Sequence, residues 1–214
     1  QNLLNKNNLS ENSINYVVGG DLINQIAITS YNMMDYLIPF VGVYAACATF
    51  PLSVTLGANL IESKNAKNII TLTSSHNLTA ERQYRYPVEY GSPKPKTSTC
   101  TLTSSVGALL SNDKTNIKIS GGLIGKVINL GINDVNHMGA IMAPACADTI
   151  HTFLENSKEN VKDYDLILTG DLGSVGLEIL KEYYERVYGS RLTKIMDAGS
   201  EIFLASDMFS GGSG

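Results

Sequence analysis

Short apolar runs rich in β-branched residues alternate along this chain with segments of helical periodicity. Because such runs favour strands and a period near 3.6 residues favours helices, the alternation predicts an α/β architecture with mixed, buried sheets. The helix-then-strand unit occurs twice, which is suggestive of an internal duplication. The predicted strands are NYVVGG, FVGVYAAC, NIITLTSS, VGALLS, IKISGGLIG, YDLILTGD and EIFLASDMF.

Three of the predicted helices have ends marked by proline, serine or glycine. Pro39 ends the first, because proline cannot continue the helical hydrogen-bond ladder. Pro144 lies near the start of the second. Ser174 and Gly189 are the expected N-cap and C-cap of the third. These helices are LINQIAITSYNMMDYL, APACADTIHTFLENS and SVGLEILKEYYERVYG.

Composition excludes several classes of protein. The net charge of −4 gives no electrostatic basis for binding nucleic acid. The longest apolar runs are short and broken by glycine or proline, so we expect no direct membrane insertion, and no segment resembles a signal peptide. The cysteines and histidines lack metal-ligand spacing, so we expect no metal site and no disulfide framework. They are Cys47, Cys100, Cys146, His76, His137 and His151. No cofactor is expected either.

Cys47 lies where a predicted strand meets a predicted helix. Leu52, Leu56 and Leu60 recur every four residues, with Gly57 between them, so a closely packed helix is expected after the cysteine. A cysteine at a helix start lies near unpaired N–H groups and the positive end of the helix dipole, which stabilise a thiolate. Cys47 is therefore either a nucleophile, the remnant of one, or a small buried side chain.

Several segments carry a resemblance to known families. GVYAACAT, followed by a helix rich in glycine and alanine, resembles the nucleophile segment of the thiolase-fold condensing enzymes, such as ketoacyl synthases. A narrower resemblance, to the stage V sporulation protein AD family, runs in order through longer blocks. These are SSHNLTAERQYRYPVEYG, IGKVINLGIND, MGAIMAPACADTI and YDLILTGDLGSVGLEIL.

The resemblance implies a thiolase-like layered fold and a role in spore formation. It implies binding of dipicolinic acid and its movement into the developing spore, together with membrane proteins of the same operon. Thiolase-like proteins are usually dimers, so a homodimer is expected. The expected location is the developing spore, peripheral at its inner membrane.

The same resemblance implies two internally duplicated halves. Residues 1–116 would be a partial N-terminal half carrying Cys47, and residues 117–214 a C-terminal half. A thiolase-like first half normally begins with a strand and helix before INYVVGG, and the family pattern continues beyond GGSG. We therefore expect a chain that is truncated at both ends, with an incomplete first half.

The resemblance favours binding over catalysis. A condensing enzyme needs proton donors around its cysteine, and chain-starting ketoacyl synthases carry a histidine after one strand. The corresponding strand end here, residues 169–172, has none. Asp171 is no simple substitute, because a carboxylate beside the thiolate raises the thiol pKa. The alternatives are an acyltransferase that uses Cys47 and a structural subunit that docks membrane partners.

Dipicolinate carries two carboxylates on a flat aromatic ring. Its site therefore needs cationic or N–H-rich edges and apolar or aromatic walls. The predicted ligand residues are the Cys47 helix start, His76, Arg82, Arg85 and Tyr86. Guanidinium groups match carboxylates in bidentate fashion, and Arg82 and Arg85 share a face if their segment is helical. Alternatively, Glu81 and Glu89 pair with these arginines, in a structural loop or a dimer contact.

Overall fold

The computed structural model describes residues 1–84, 95 and 97–202. The chain divides into two compact units. The first unit contains residues 1–80 and 103–122, and the second contains residues 81–102 and 123–214. The predicted division into halves at residues 116 and 117 stays a prediction.

The first unit is built around a mixed four-stranded sheet. Its helices are α1 (Asn2–Asn7), α2 (Ala27–Met33) and α3 (Thr49–Glu62), and α4 (Asn77–Tyr84) begins in it; its strands are β1 (Tyr16–Asp21), β2 (Phe40–Gly42), β3 (Asn68–Ser75) and β4 (Ser104–Ser111). The strand order is β2-β1-β3-β4. Strands β2, β1 and β3 are parallel, and β4 is antiparallel to β3. The prediction of a mixed sheet in an α/β fold is confirmed.

Helices cover both faces of this sheet. Residues Val17 and Ile70 form a core cluster with Leu4 of α1, and Met33 of α2 packs against it. The neighbouring strand residues point the other way, since side chains alternate along a strand. Among them, Val18 and Ile69 pack with α3 in a second cluster. The first unit is therefore an α/β/α sandwich.

Helix α3 presents its small residues, rather than its leucines, to the sheet. The buried positions are Thr49, Ser53, Gly57 and Ile61, whereas the predicted leucine stripe is only half-buried. A Cβ at Gly57 would lie 2.9 Å from Leu110 Cδ1 and 3.2 Å from Thr71 Cγ2. The helix backbone thus approaches the sheet more closely than leucine would allow.

The second unit packs helices around a two-stranded parallel sheet. Its elements are α5 (Met138–Ser157), β5 (Ile167–Thr169), α6 (Gly173–Tyr188), β6 (Ile195–Asp197) and α7 (Ala198–Ile202). Helices α5 and α6 meet at Gly139 and Gly176, where a Cβ on Gly139 would lie 2.7 Å from Gly176 Cα. The core includes Ala143, Leu180 and Tyr184.

Two predicted strands are wrong. The segment IKISGGLIG, residues 117–125, forms no strand and is mostly exposed; its adjacent glycines weaken any strand. Residues 201 and 202 end α7 instead of starting a strand, and residues 203–209 of that prediction lie outside the described residues. Strand β2 ends at Gly42, not at Cys47, and α2 is shorter than predicted.

Two predicted helix starts also differ. Helix α5 begins at Met138, because His137 Nδ1 accepts a hydrogen bond from Ala140 N at 3.3 Å, so Pro144 lies inside the helix. Helix α6 begins at Gly173 rather than after a Ser174 cap. The expected C-cap, Gly189, is confirmed with φ +68°, a conformation that glycine adopts without strain.

Candidate functional site at the strand ends of the first unit

Three chemically distinct side chains follow the parallel strands of the first unit. Asp21 ends β1, His76 follows β3 directly, and Cys47 comes five residues after β2. Because β2, β1 and β3 are parallel, their carboxyl ends lie at one edge of the sheet. Ligands of open α/β sheets bind at such carboxyl edges. This edge is the candidate site.

Cys47 lies in a 3-10 turn, Ala46–Ala48, directly before α3. Its position at a strand-to-helix turn is confirmed. Buried Thr49 fixes the turn, because its Oγ1 accepts from Ala45 N at 3.1 Å and donates to Ala46 O at 2.7 Å. Ala46 has φ +47°, a strained conformation for a residue with a side chain. The half-buried Cys47 is therefore presented by a tightly held, strained turn.

Asp21 is a fully buried carboxylate that the sequence reasoning missed. It accepts hydrogen bonds from Thr29 N at 3.0 Å, from Thr29 Oγ1, and from Ser74 Oγ at 2.8 Å. These contacts tie the ends of β1 and β3 to the start of α2. The available signal was an acidic residue placed directly after the buried run VVGG.

His76 is an exposed residue at the start of α4. Its carbonyl oxygen accepts from Ala80 N and from Thr79 Oγ1, each at 3.0 Å. Asn77 N donates to Thr103 Oγ1 at 2.9 Å, which fixes the same turn. The backbone of His76 is thus structural, and its imidazole lies at the surface.

Arg82 lies on α4 and is exposed, and its role in ligand binding stays a prediction. Its neighbour Glu81 is only 4% exposed and accepts from Thr101 N at 2.8 Å. Glu81 therefore anchors a loop. Arg85 and Tyr86, like Glu89, lie outside the described residues. The shared face predicted for Arg82 and Arg85 stays a prediction.

Asp197 is the second fully buried strand-end carboxylate. It accepts from Thr169 Oγ1 at 2.8 Å, from Leu172 N and Gly173 N at 3.0 Å each, and from Ser200 N at 3.1 Å. The turn after β5 is the strand end where the resemblance would place a catalytic histidine. In this chain, Thr169 and Leu172 of that turn donate hydrogen bonds to Asp197.

Cys146 lies on α5 in the second unit. Burial of the thiol, and secondarily the charge of Asp197, raise its pKa to about 11. The thiol therefore stays protonated near neutral pH, and a protonated thiol is a poor nucleophile. Cys146 is a structural cysteine and a suitable comparison for Cys47.

Among the described residues, no group of three or more His, Cys, Asp or Glu side chains is placed to hold a metal ion. No helix in the same part of the chain has the length and apolar content needed to cross a membrane.

The family model for stage V sporulation protein AD matches residues 1–214. Stage V sporulation protein AD of Bacillus subtilis (strain 168) is 42% identical over 212 residues. The match covers 99% of this chain and 63% of that protein, so the chain spans less than two thirds of that relative's length.

Several solved structures have a similar fold. Xanthomonas campestris OleA with bound lauric acid and lauroyl-CoA matches with a TM-score of 0.62 and 12% identity, over 99% of this chain and 66% of that one. The 3-oxoacyl-[acyl-carrier-protein] synthase III of Aquifex aeolicus matches with a TM-score of 0.60 and 12% identity, over 98% and 67%. The fold is thiolase-like, and the whole-length family match shows that this chain belongs to the stage V sporulation protein AD family.

Proposed function

We propose that this chain is part of a dipicolinate-binding protein of spore formation that performs no acyl transfer. The main support for the proposal is the composition of the turn after β5. Residues 169–172 contain no histidine, and Asp197 holds this turn through Thr169 and Leu172. Condensing enzymes use a histidine as proton donor, and its absence from this strand end in the sequence favours ligand binding over acyl transfer.

The strand-end edge of the first unit has features that suit a planar dianion. The N–H groups at the start of α3 and the positive end of its dipole favour a carboxylate near Cys47. His76 adds a surface imidazole after β3. Arg82, which belongs to the second unit, stays in the predicted ligand set because a guanidinium can make a bidentate contact with a carboxylate. We include Arg85 and Tyr86 in the ligand set as predicted.

The biological role follows from the family. Members are sporulation proteins, so we propose that the complete protein takes part in dipicolinate uptake into the developing spore. Its proposed partners are membrane proteins of the same operon, with the protein peripheral at the spore inner membrane. A homodimer is the proposed assembly state.

Arg82→Ala is expected to weaken dipicolinate binding by about ten- to a hundredfold, because one charge-assisted bidentate contact is lost. Arg82→Lys is also expected to weaken binding, because an ammonium lacks the planar fork. Titration calorimetry and thermal melting on the same preparations measure affinity and folding separately.

Arg186→Ala is the matched control. Arg186 is an exposed helical arginine whose Nη2 lies 2.6 Å from Glu182 Oε1, and it belongs to no proposed site. Its affinity for dipicolinate is expected to equal that of the unmodified protein. Equal affinities for Arg82→Ala and Arg186→Ala would remove Arg82 from the ligand set.

A second candidate function is acyl transfer through Cys47. It is favoured by the position of the thiol at the start of α3 and by the ketosynthase fold. If this candidate is right, labelled acyl-CoA leaves a stable label that Cys47→Ser abolishes and Cys146→Ser retains. We expect no such label. Absence of both labelling and dipicolinate binding would favour a structural subunit that docks membrane partners.

A further inference from the structure

Thr49 is a fully buried polar residue at the first position of α3. Its hydroxyl makes two hydrogen bonds to the turn before the helix, because it accepts from Ala45 N at 3.1 Å and donates to Ala46 O at 2.7 Å. Both of these backbone groups belong to the two residues that precede Cys47. The Thr49 side chain therefore ties the start of the helix to the turn that presents the thiol.

The turn that Thr49 holds has a conformation that the backbone disfavours. Ala46 has φ +47°, where its Cβ comes too close to the following carbonyl oxygen. Ala48 N donates to Ala45 O at 2.9 Å, which is the weaker hydrogen-bond geometry of a 3-10 turn. The two hydrogen bonds of the Thr49 hydroxyl add to this bond and stabilise the closed turn.

Thr49 is itself held in place by the packing of α3. It shares the buried face of the helix with Ser53, Gly57 and Ile61. The fully buried Ser53 donates its hydroxyl to Thr49 O at 2.6 Å. A β-branched side chain has few rotamers in a helix, and a threonine hydroxyl can bond a carbonyl of the preceding turn. The position of α3 on the sheet thus determines where the Thr49 hydroxyl lies, and the hydroxyl determines where the Cys47 turn lies.

We propose that Thr49 is a positioning residue for Cys47, whose hydroxyl keeps the turn closed and so sets the exposure of the thiol and its place beside the first N–H groups of α3. Because Cys47 is half-buried, local opening of the turn would expose its thiol. A second consequence rests on the proposed dipicolinate binding, in which those N–H groups receive a carboxylate. The consequence for the thiol depends on no ligand.

Thr49→Val and Thr49→Ser test the hydroxyl, since valine keeps the shape of threonine without it and serine retains it. Mass spectrometry measures the rate at which iodoacetamide alkylates Cys47, relative to Cys146 of the same molecule. Thr49→Val is expected to raise this ratio by about three- to tenfold, because lost hydrogen bonds shift a local opening by that order. Thr49→Ser is expected to keep the ratio of the unmodified protein. A uniform loss of folded protein would expose both thiols.

Ser53→Ala is the matched control. It removes another buried hydroxyl of the same helix and leaves the hydrogen bonds to Ala45 and Ala46 in place. Its alkylation ratio is expected to equal that of the unmodified protein. If Thr49→Val gives the same ratio as Ser53→Ala and Thr49→Ser, Thr49 is only a buried packing residue and the positioning role is wrong.

Titration calorimetry with dipicolinate on the same proteins tests the consequence for the ligand. Thr49→Val is expected to weaken binding by about three- to tenfold, in protein whose circular dichroism is that of a folded chain, and the other two variants are expected to retain it. If the unmodified protein binds no dipicolinate, the proposed function is wrong, while the alkylation ratio still decides the role of Thr49. If Thr49→Val changes the ratio and leaves the affinity unchanged, only the consequence for the ligand is wrong.

Discussion

Asp197→Ala is expected to destabilise the second unit by about 3–5 kcal/mol, because it leaves buried donors without an acceptor. The carboxylate accepts from one hydroxyl and three backbone N–H groups, those of Leu172, Gly173 and Ser200. Each donor buried without a partner costs about 1–3 kcal/mol, although such costs do not add fully. Urea unfolding followed by circular dichroism measures the loss as a lower transition midpoint.

Asp165→Ala is the control for this experiment. Asp165 is fully exposed, and its Oδ1 lies 3.5 Å from Lys194 Nζ. Exposed ion pairs of this kind contribute little to stability, so the midpoint is expected to stay close to that of the unmodified protein. Equal midpoints for the two variants would mean that water replaces the Asp197 carboxylate without cost.

Gly139→Ala is expected to destabilise the second unit by about 2–3 kcal/mol. The added Cβ would lie 2.7 Å from Gly176 Cα and 2.8 Å from Leu172 O, and both are backbone atoms that no side-chain rotation moves. Helices α5 and α6 must therefore separate, which loosens the packing of Ala143 and Leu180 between them. The gain in helix propensity of about 1 kcal/mol from replacing glycine is smaller than this cost.

Gly170→Ala makes the identical chemical change at a glycine of the same unit whose Cβ position has no atom within 4 Å. It is expected to unfold at the midpoint of the unmodified protein. A Gly139→Ala midpoint equal to that of Gly170→Ala would show that the helix contact tolerates a methyl group.

Elements with strong local signals could be predicted from the sequence. Strand β3 contains the run IITLT, in which β-branched residues favour a strand, and the structure forms the strand from Asn68 to Ser75 as predicted. Helix α6 has an apolar stripe of clear period and ends at Gly189 as predicted. The place of Cys47 between a strand and a helix followed from the same periodicity. Longer blocks of sequence identified the family, but the ligand residues stay predictions.

The burial of particular polar and small residues depends on tertiary packing and could not be predicted from the sequence. Asp21 is satisfied by Thr29 and Ser74, which lie 8 and 53 positions away along the chain, and no local pattern encodes such contacts. Strand β6 has three residues, too few to show a period. The small-residue face of α3 is buried because the sheet approaches at Gly57, and the Gly139–Gly176 contact exists only once α5 and α6 pack. Burial and close backbone approach depend on residues that are distant in sequence. The order of helices and strands could therefore be predicted from the sequence, whereas the tertiary contacts between them could not.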